Sequence, residues 1–325
     1  MNDTRSKITP ATEDSIARAG EIIRAGGLVG LPTETVYGLA ADATRPEAVA
    51  KIYAAKGRPR FNPLIAHIAA LDDAPRLALV SGAGQALIER FWPGPLTLVL
   101  PFRPGATVCE LARAGLDSVA LRMPSHKIAR AVIEAAGVPV SAPSANRSGR
   151  ISATSAADVA SELGGSVDLV LDAGQTKIGV ESTIVSLLGD KPTLLRAGGL
   201  PRAEIEAVLG RPLALAGADD TAPRAPGMMT SHYAPATPVR LEAVEVAADE
   251  ALLAFGAFRP AGIAQAQAVL NLSAAGDPVE AAANLYRSLR QLDALGARCI
   301  AVAPVPEAGL GEAINDRLKR AAAPR

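Results

Sequence analysis

Leu28-Val-Gly-Leu-Pro-Thr-Glu-Thr-Val-Tyr-Gly38 joins a short apolar run, Leu28 to Leu31, directly to the polar segment Pro32-Thr-Glu-Thr35. The apolar run predicts a strand. Polar residues on the turn that leaves a strand are well placed to meet a ligand at the carboxyl edge of a sheet. An ordinary strand–helix turn capped by threonine side chains would give the same pattern. The stretch therefore predicts a strand and leaves its functional meaning open.

The first two hundred residues alternate between helical and strand-like patterns. Helices are predicted over residues 12–25, 46–55 and 125–136 and from residue 154. Further strands are predicted at residues 64–68, 96–102, 118–122, 138–141, 167–172, 182–187 and 192–196. Helices that interleave with strands indicate an α/β fold, and the close spacing of several strands favours a twisted mixed sheet with flanking helices.

A length of 325 residues is typical of two domains. We predict a larger α/β domain over residues 1–210, a linker over 211–237 and a smaller Rossmann-like α/β domain over 238–325. The linker is rich in Ala and Pro, and prolines at 212, 223, 226 and 235 should keep it extended. In the second domain, strands are predicted at 239–241, 251–255, 269–272 and 299–302, with helices over 278–295 and from about 310.

Composition excludes several classes of protein. The 33 basic residues equal the 33 acidic ones, so no overall excess of positive charge indicates a general nucleic-acid binder. Cys109 and Cys299 are far apart and only three histidines occur, which excludes a disulfide framework and a standard zinc-ligand set. Without a signal-like apolar segment or a run of about 18 apolar residues, the sequence predicts a soluble cytoplasmic protein with no membrane contact.

The segment Lys56-Gly-Arg-Pro-Arg-Phe-Asn62 places three cations at alternate positions, with no acid among them. Such charges repel one another unless an anion lies between them. Arginine offers a planar fork that suits carboxylate or phosphate. A solvated basic helix terminus is the alternative. Residues 51–66 and 119–152 together hold nine basic residues and one acidic residue, so the overall neutrality conceals a local cationic region that favours small anions.

Two further segments carry small polar residues next to predicted strands. Ser141-Ala-Pro-Ser-Ala-Asn-Arg-Ser-Gly149 would let the backbone approach a ligand closely, and Gly179-Val-Glu-Ser-Thr-Ile-Val185 opens a strand with two hydroxyl groups. Neither is a Walker loop or a nucleophile elbow. An ordinary Ser/Asn-rich loop and surface strand residues are the alternatives. His67 lies in an apolar strand, where a core histidine is commoner than a catalytic one.

Seven motifs follow one another along the chain: Pro32-Thr-Glu-Thr-Val-Tyr-Gly-Leu39, Lys56-Gly-Arg58, Asn62-Pro-Leu-Ile65, Phe91-Trp-Pro-Gly-Pro-Leu-Thr97, Arg122-Met-Pro124, Ser141-Ala-Pro-Ser-Ala-Asn146 and Glu181-Ser-Thr-Ile184. In this order they closely resemble the YrdC-like family. The linker motifs Ala225-Pro-Gly-Met228 and Ser231-His-Tyr-Ala-Pro235, with Ala301-Val-Ala-Pro-Val-Pro-Glu307, resemble the long two-domain form, so the resemblance covers residues from about 12 to 322.

The resemblance implies a threonylcarbamoyl-AMP synthase, a nucleotidyltransferase that converts L-threonine, bicarbonate and ATP into threonylcarbamoyl-AMP, pyrophosphate and water. It implies a catalytic centre of Lys56, Arg58, Ser144 and Asn146. For L-threonine it implies Thr33, His67, Arg122, Ser182 and a backbone group at Ala142. For ATP it implies the catalytic four together with Arg60, Ser152, Arg196, His232 and Tyr233.

The same resemblance implies that Mg²⁺ is bound through the ATP phosphates rather than by protein side chains, and that no organic prosthetic group is needed. The product would pass to tRNA threonylcarbamoyl-transfer proteins for modification next to the anticodon, with at most weak contact to RNA. Two alternatives stay open: an RNA-binding or ribosome-associated module that uses the basic surface, and a different carbamoyl transfer, as in hydrogenase-maturation proteins.

Overall fold

The computed structural model describes residues 7–59, 61–216 and 232–324. Within these ranges, an eleven-stranded mixed sheet and a four-stranded parallel sheet carry the flanking helices. The predicted α/β class, with a large mixed sheet followed by a smaller α/β layer, is confirmed. No helix in the described ranges is long and apolar enough to cross a membrane.

The larger sheet and its helices are built from residues 8–215. Its strands are β1 Ile8–Pro10, β2 Val29–Leu31, β3 Gly38–Asp42, β4 Ile65–His67, β5 Leu96–Pro101, β6 Ser118–Arg122, β7 Val140–Ser141, β8 Leu169–Asp172, β9 Thr183–Ser186, β10 Thr193–Arg196 and β11 Ala214–Leu215. Its helices are α1 Glu13–Arg24, α2 Pro46–Lys56, α3 Ala74–Leu77, α4 Gly82–Phe91, α5 Lys127–Ala136, α6 Ala156–Leu163 and α7 Arg202–Leu209.

The smaller sheet follows in the chain. Its strands are β12 Val239–Arg240, β13 Glu250–Ala254, β14 Ala268–Asn271 and β15 Cys299–Val302, and its helices are α8 Pro278–Asp293 and α9 Gly311–Ala322. All the strand pairs are parallel, in the order β12-β15-β13-β14. Parallel strands need helical crossovers, which explains the amphipathic pattern over residues 278–295.

Local chemistry fixes the helix that leads into the cationic loop. Helix α2 begins with Pro46, whose missing N–H costs nothing in the first turn. It ends at Lys56, and Gly57 follows with a φ of 60°, a left-handed conformation that favours glycine. The chain therefore turns sharply, and Arg58 lies beside the end of the helix rather than further along its axis.

The opening stretch forms a hairpin and not a strand–helix turn. Strand β2 ends at Leu31, and after the polar turn the chain returns as β3, antiparallel to β2. The pattern did not predict β3 because Gly38-Leu-Ala-Ala-Asp42 has none of the β-branched or aromatic residues that are typical of strands. The polar turn thus lies at one end of two buried strands.

The order of the large sheet is β1-β8-β2-β3-β7-β4-β6-β5-β9-β10-β11. Strands β4 and β6 are parallel, with His67 opposite Arg122. Strand β7 is antiparallel to both β3 and β4, and Ser141 pairs with Ala41 and Ala66. The loop after β7 therefore begins beside the strand that carries His67.

Loop residues of the first part pack into the hydrophobic core of the smaller α/β layer. One buried cluster contains Val36 and Val180 of the first part together with Leu285 and Ile314 of the second. Gly179 has a φ of 78°, and a Cβ atom there would lie 2.3 Å from the carbonyl oxygen of Ala282 in α8. The smaller α/β layer is thus packed tightly against the first part.

The predicted linker over 211–237 lies partly outside the described residues, because 217–231 are not among them. Within the remainder, β11 pairs with β10 and extends the large sheet. The amides of Ala236 and Thr237 donate hydrogen bonds to the carboxylate of Asp293 in α8. The division into residues 1–210, 211–237 and 238–325 stays a prediction.

Candidate functional site

A cavity of about 40 Å³ lies where the strand ends and loops of the large sheet meet the segment at residue 232. It is lined by Thr35, Val36, Arg58, Ile65, His67, Arg122, Ala142, Pro143, Ser144, Glu181, Ser182, Arg196, His232 and Tyr233. Nine of these residues belong to the site predicted from the sequence. Segments far apart in the chain therefore meet at one place.

Three guanidinium groups converge on this cavity. Arg58, Arg122 and Arg196 are each less than one-tenth exposed. Burial lowers the pKa of Arg58 to about 10, and Tyr53 and Tyr233 partly oppose that shift. Three buried positive charges around a small cavity form an electrostatic environment that suits an anion.

Lys56 lies directly behind the cavity lining. Its Nζ donates to the carbonyl oxygen of Ser144 at 2.5 Å and to that of Asn146. Burial, and then the neighbouring charge of Arg58, lower the pKa of Lys56 well below its ordinary value. The ammonium group therefore ties the end of α2 to the loop that follows β7.

The loop after β7 presents Ser144 to the cavity and Asn146 to its own backbone. The Asn146 amide donates to the carbonyl oxygens of Arg147 and Arg150, both at 2.8 Å. Its Oδ1 atom is buried and has no hydrogen-bond partner among the described residues. Asn146 thus keeps one acceptor available in a structured loop.

Arg122 is not a free cation. Its Nη2 lies 2.7 Å from Oε1 of Glu34, and both side chains are buried. Its Nε donates to the carbonyl oxygen of Gly94 at 3.2 Å. Burial would raise the pKa of Glu34, but the charge of Arg122 and its hydrogen bond lower it. The acid of the Pro-Thr-Glu-Thr turn therefore orients the arginine predicted for the threonine carboxylate.

His67 is neutral. Burial, together with the charge of Arg122, lowers its pKa to about 3, although Glu34 opposes the shift. Its Nδ1 lies 3.2 Å from the carbonyl oxygen of Ile65. Ala142 lines the cavity, and its amide donates to the same carbonyl oxygen. His67 is thus both a core histidine and a cavity residue.

Thr33, which was predicted to contact L-threonine, lies in the turn rather than in the cavity lining. The Thr33 hydroxyl donates to the carbonyl oxygen of Val36 at 2.6 Å and accepts hydrogen bonds from the amides of Thr35 and Val36. Thr35, not Thr33, lines the cavity. Thr33 therefore shapes the turn that presents Thr35.

Ser182 is held from two sides. Its Oγ lies 2.7 Å from the hydroxyl of Thr97 in β5, and Nη2 of Arg196 donates to it at 3.2 Å. Arg196 also donates to the Ser182 carbonyl oxygen through Nε and Nη2. The start of β9 and the end of β10 thus fix each other at the cavity.

Glu181 is an ionised carboxylate at the cavity that sequence reasoning did not assign. Its Oε1 accepts a hydrogen bond from the Ser152 hydroxyl at 2.6 Å. Burial raises its pKa, but Arg317 and Arg196 outweigh that effect and lower the pKa to about 2. Ser152 does not line the cavity and is connected to it through this carboxylate, and its role in nucleotide binding stays a prediction. Arg317 is 136 residues away in sequence, and no local pattern could have linked the two.

His232 and Tyr233 both line the cavity and are buried. Their ring centroids are 4.1 Å apart with planes at 64°. Tyr233 has a φ of 62°, which is uncommon for a residue other than glycine and is typical of functional sites. Arg60, also predicted for ATP, lies outside the described residues.

An α/β site with buried guanidinium groups, small polar side chains and a neutral histidine defines a binder of small anionic molecules. Comparison with known proteins sharpens that class. The Sua5/YciO/YrdC family, described as telomere recombination, matches residues 21–198. The description "Threonylcarbamoyl-AMP synthase, C-terminal domain" matches residues 200–323. The chain belongs to the Sua5/YciO/YrdC family, in its long form with this C-terminal domain.

Individual relatives agree with this assignment. A threonylcarbamoyl-AMP synthase of Pyrococcus abyssi is 43% identical over an alignment of 326 positions, gaps included, that covers 95% of this chain and 94% of the relative. The threonylcarbamoyl-AMP synthase of Bacillus subtilis is 40% identical over an alignment of 330 positions that covers 96% of this chain and 94% of the relative. The crystal structure of P. abyssi Sua5 complexed with L-threonine has a TM-score of 0.88 at 39% identity, covering 97% and 96%. The predicted resemblance and the predicted nucleotidyltransferase class are confirmed by these relatives.

Proposed function

We propose that this chain makes threonylcarbamoyl-AMP, pyrophosphate and water from L-threonine, bicarbonate and ATP. The observation that carries the proposal is the convergence of Arg58, Arg122 and Arg196 on one cavity with Lys56 directly behind it. Each of the three substrates is anionic or carries a carboxylate. The family relationship to synthases of this product supports the same reaction.

L-threonine fits the side of the cavity formed by β4 and β6. Arg122, oriented by Glu34, would bind the carboxylate of L-threonine. The hydroxyl of Ser182 or Thr35 would form a hydrogen bond, as donor or acceptor, with the other polar groups of the amino acid. Neutral His67 can bind without repelling the ammonium group. Thr33 and the backbone at Ala142 would complete this half of the site. The L-threonine bound by P. abyssi Sua5 supports the proposal.

ATP would occupy the side formed by the loop after β7, β10 and the segment at residue 232. We assign its phosphates to the catalytic four, Lys56, Arg58, Ser144 and Asn146, with further contacts from Arg60, Ser152, Arg196, His232 and Tyr233. The cavity of about 40 Å³ is far below the roughly 300 Å³ of a small-molecule site. His232 and Tyr233 must therefore move before ATP can enter, so they act as a cover.

The proposed chemistry needs no protein nucleophile. The neutral threonine amine attacks the carbon of bicarbonate, a C–O bond breaks, and the departing hydroxide takes the amine proton to leave as water, so that a carbamate remains. If bicarbonate first loses hydroxide to give CO2, the same attack gives the carbamate and a proton that converts the hydroxide to water. A carbamate oxygen then attacks the α-phosphorus of ATP, and pyrophosphate leaves. The buried cations would stabilise the negative charge that develops on the phosphorus oxygens, and the fixed loops would align the reactants.

Mg²⁺ is proposed to arrive with ATP. The described residues contain no group of three or more His, Cys, Asp or Glu side chains that could hold a metal ion. A cavity lined by guanidinium groups is a poor ligand set for a hard cation, which prefers oxygen ligands. The ion would neutralise phosphate charge when bound.

Pyrophosphate release tests the proposal. With ATP and Mg²⁺ present, we expect release only when L-threonine and bicarbonate are both added. Release that persists after either one is omitted would contradict the reaction.

The product is proposed to feed transfer proteins that modify tRNA next to the anticodon.

The alternative is an RNA-binding module that uses the same basic surface. RNA affinity should fall steeply with salt, because each phosphate contact releases counterions. Buried cations are screened much less. RNA affinity should fall by orders of magnitude between about 50 and about 200 mM salt. If ATP affinity changes little over the same range, the result supports the enzyme.

A further inference from the structure

We propose that Arg317, in helix α9, is a positioning residue for the nucleotide half of the site. Through Arg317 the C-terminal domain holds Glu181, which we call the floor of the cavity, in a fixed position relative to His232 and Tyr233, which we call its cover. The proposal rests on the function proposed above. Arg317 lies outside the cavity lining and belongs to no motif that the sequence singled out. It contacts both Glu181 in the floor and Tyr233 in the cover.

Glu181 is the contact to the floor. Arg317 Nε donates to Oε2 of Glu181 at 2.8 Å, and the arginine side chain is fully buried. The opposite carboxylate oxygen accepts from Ser152. Glu181 immediately precedes Ser182, whose carbonyl oxygen holds Arg196. The C-terminal domain thus fixes the carboxylate of Glu181, and through the adjacent Ser182 it also helps to fix the guanidinium group of Arg196 at the cavity.

Tyr233 is the contact to the cover. The guanidinium carbon of Arg317 lies 5.0 Å from the centre of the Tyr233 ring, within the range of a cation–π interaction. Tyr286 of α8 stacks on the Tyr233 ring, with ring centroids 5.7 Å apart. The hydroxyl of Tyr286 lies 3.0 Å from Oε2 of Glu181. The amide of His232 donates to the carbonyl oxygen of Arg320 in α9. Helices α8 and α9 therefore contact both Glu181 on the floor of the cavity and the segment with His232 and Tyr233 that covers it.

Burial makes this arrangement sensitive to charge. Removing one partner of a buried ion pair leaves the other charge uncompensated, whereas removing both is far less costly. Without Arg317, the carboxylate of Glu181 would keep the attraction of Arg196, the other arginine whose charge lowers its pKa, and we expect the position of Arg196 at the cavity to change. Tyr233 would also lose a contact that supports its uncommon backbone conformation.

The test compares Arg317→Met with Lys319→Met, a control on the same helix whose side chain is exposed and pairs with Glu307. Formation of threonylcarbamoyl-AMP gives kcat and the KM for ATP, and calorimetry gives the affinity for L-threonine alone. We expect Arg317→Met to lower kcat/KM for ATP by about 100-fold, at the upper end for residues that orient a site through another group. L-threonine affinity should change less than about threefold, because the threonine half is built on β4 and β6.

Charge restoration separates positioning from loss of folding. Arg317→Lys, which keeps the charge beside Glu181, should recover at least about tenfold of the lost kcat/KM. The double variant Glu181→Gln/Arg317→Met should be less impaired than the product of the two single effects. If Arg317→Met does not fold, Arg317→Lys is compared directly with Lys319→Met: its kcat/KM for ATP should be lower, because lysine lacks the planar fork of arginine, and equal values would overturn the proposal. Equal kcat/KM in Arg317→Met and Lys319→Met, or fully additive effects in the double variant, would overturn the proposal.

Amide hydrogen exchange provides a readout that does not depend on activity. The amides of His232 and Ala234 are hydrogen-bonded to Arg320 and Gly149, so they should exchange faster in Arg317→Met than in Lys319→Met. Unchanged exchange would contradict the positioning role. If the parent protein formed no threonylcarbamoyl-AMP while exchange still rose in Arg317→Met, the proposed function would fail and the positioning role would stand.

Discussion

The ammonium group of Lys56 shows how one side chain can serve both the fold and the site. Its two hydrogen bonds hold the loop that carries Ser144 and Asn146, and its charge lies behind the anion-binding cavity. Burial without a carboxylate hydrogen-bonded to it lowers its pKa well below the usual range. Such a costly arrangement is typical of a functional position.

Replacing Lys56 with Met should lower kcat by about 100-fold or more, since it removes a charge that stabilises the transition state. Lys51→Met is the matched control, because Lys51 lies on the same helix and its Nζ donates to the Gly26 carbonyl oxygen at 2.6 Å. Steady-state pyrophosphate release measures both. Equal activity of the two variants would contradict the role given to Lys56.

Neutral His67 predicts a dependence of stability on pH. Its folded pKa of about 3 lies below the ordinary 6.5, so the unfolded chain binds a proton that the folded chain does not as pH falls below 6.5. Stability is therefore lost as the pH falls through that window. In His67→Gln, the decrease in Tm between pH 7 and pH 5 should be smaller than in the parent, as thermal unfolding would measure. An equal decrease would indicate that His67 is protonated in the fold.

At the level of strands and loops, the polar turn after β2 places Thr35 at the cavity, but it is the turn of a hairpin, which the sequence pattern did not predict. Strand β3 consists of small residues, and its strand character comes from pairing with β2 and β7 rather than from propensity. Helices α4 and α7 were not predicted either. The predicted strands at 64–68, 96–102 and 118–122 are confirmed as β4, β5 and β6, because their runs of apolar residues are buried on both faces.

The contact between Gly179 and α8 predicts how strongly the two parts depend on each other. Gly179→Ala would place a Cβ atom 2.3 Å from a backbone oxygen of α8, at a left-handed φ. Gly174→Ala is the control, since its φ of 77° is similar but a Cβ atom there meets nothing within 4 Å. We expect a decrease in Tm for both, and a clearly larger one for Gly179→Ala, with faster proteolysis between the two parts. Equal decreases in Tm for the two variants would mean that α8 can shift to accommodate the added Cβ atom at little cost, which would contradict the prediction.

Across the whole molecule, the residues that the family resemblance assigns to the site could be named from the sequence, whereas the contacts that hold them in place could not. Nine predicted residues line the cavity, because their motifs lie at strand ends that the α/β pattern brings together. Glu34 and Glu181 could not be assigned, since their roles depend on Arg122 and Arg317 at sequence separations of 88 and 136. Overall charge neutrality likewise hides buried cations whose partners come from distant segments.

Transfer of label from ¹³C-bicarbonate shows whether the chain builds the carbamoyl group of threonylcarbamoyl-AMP. The purified chain, incubated with L-threonine, ATP and Mg²⁺, should yield an adenylate whose mass rises by one unit with labelled bicarbonate, together with one pyrophosphate for each molecule formed. Fragmentation should place the label in the carbamoyl group and not in threonine or adenosine. An adenylate without label, or pyrophosphate without a labelled adenylate, would contradict the account.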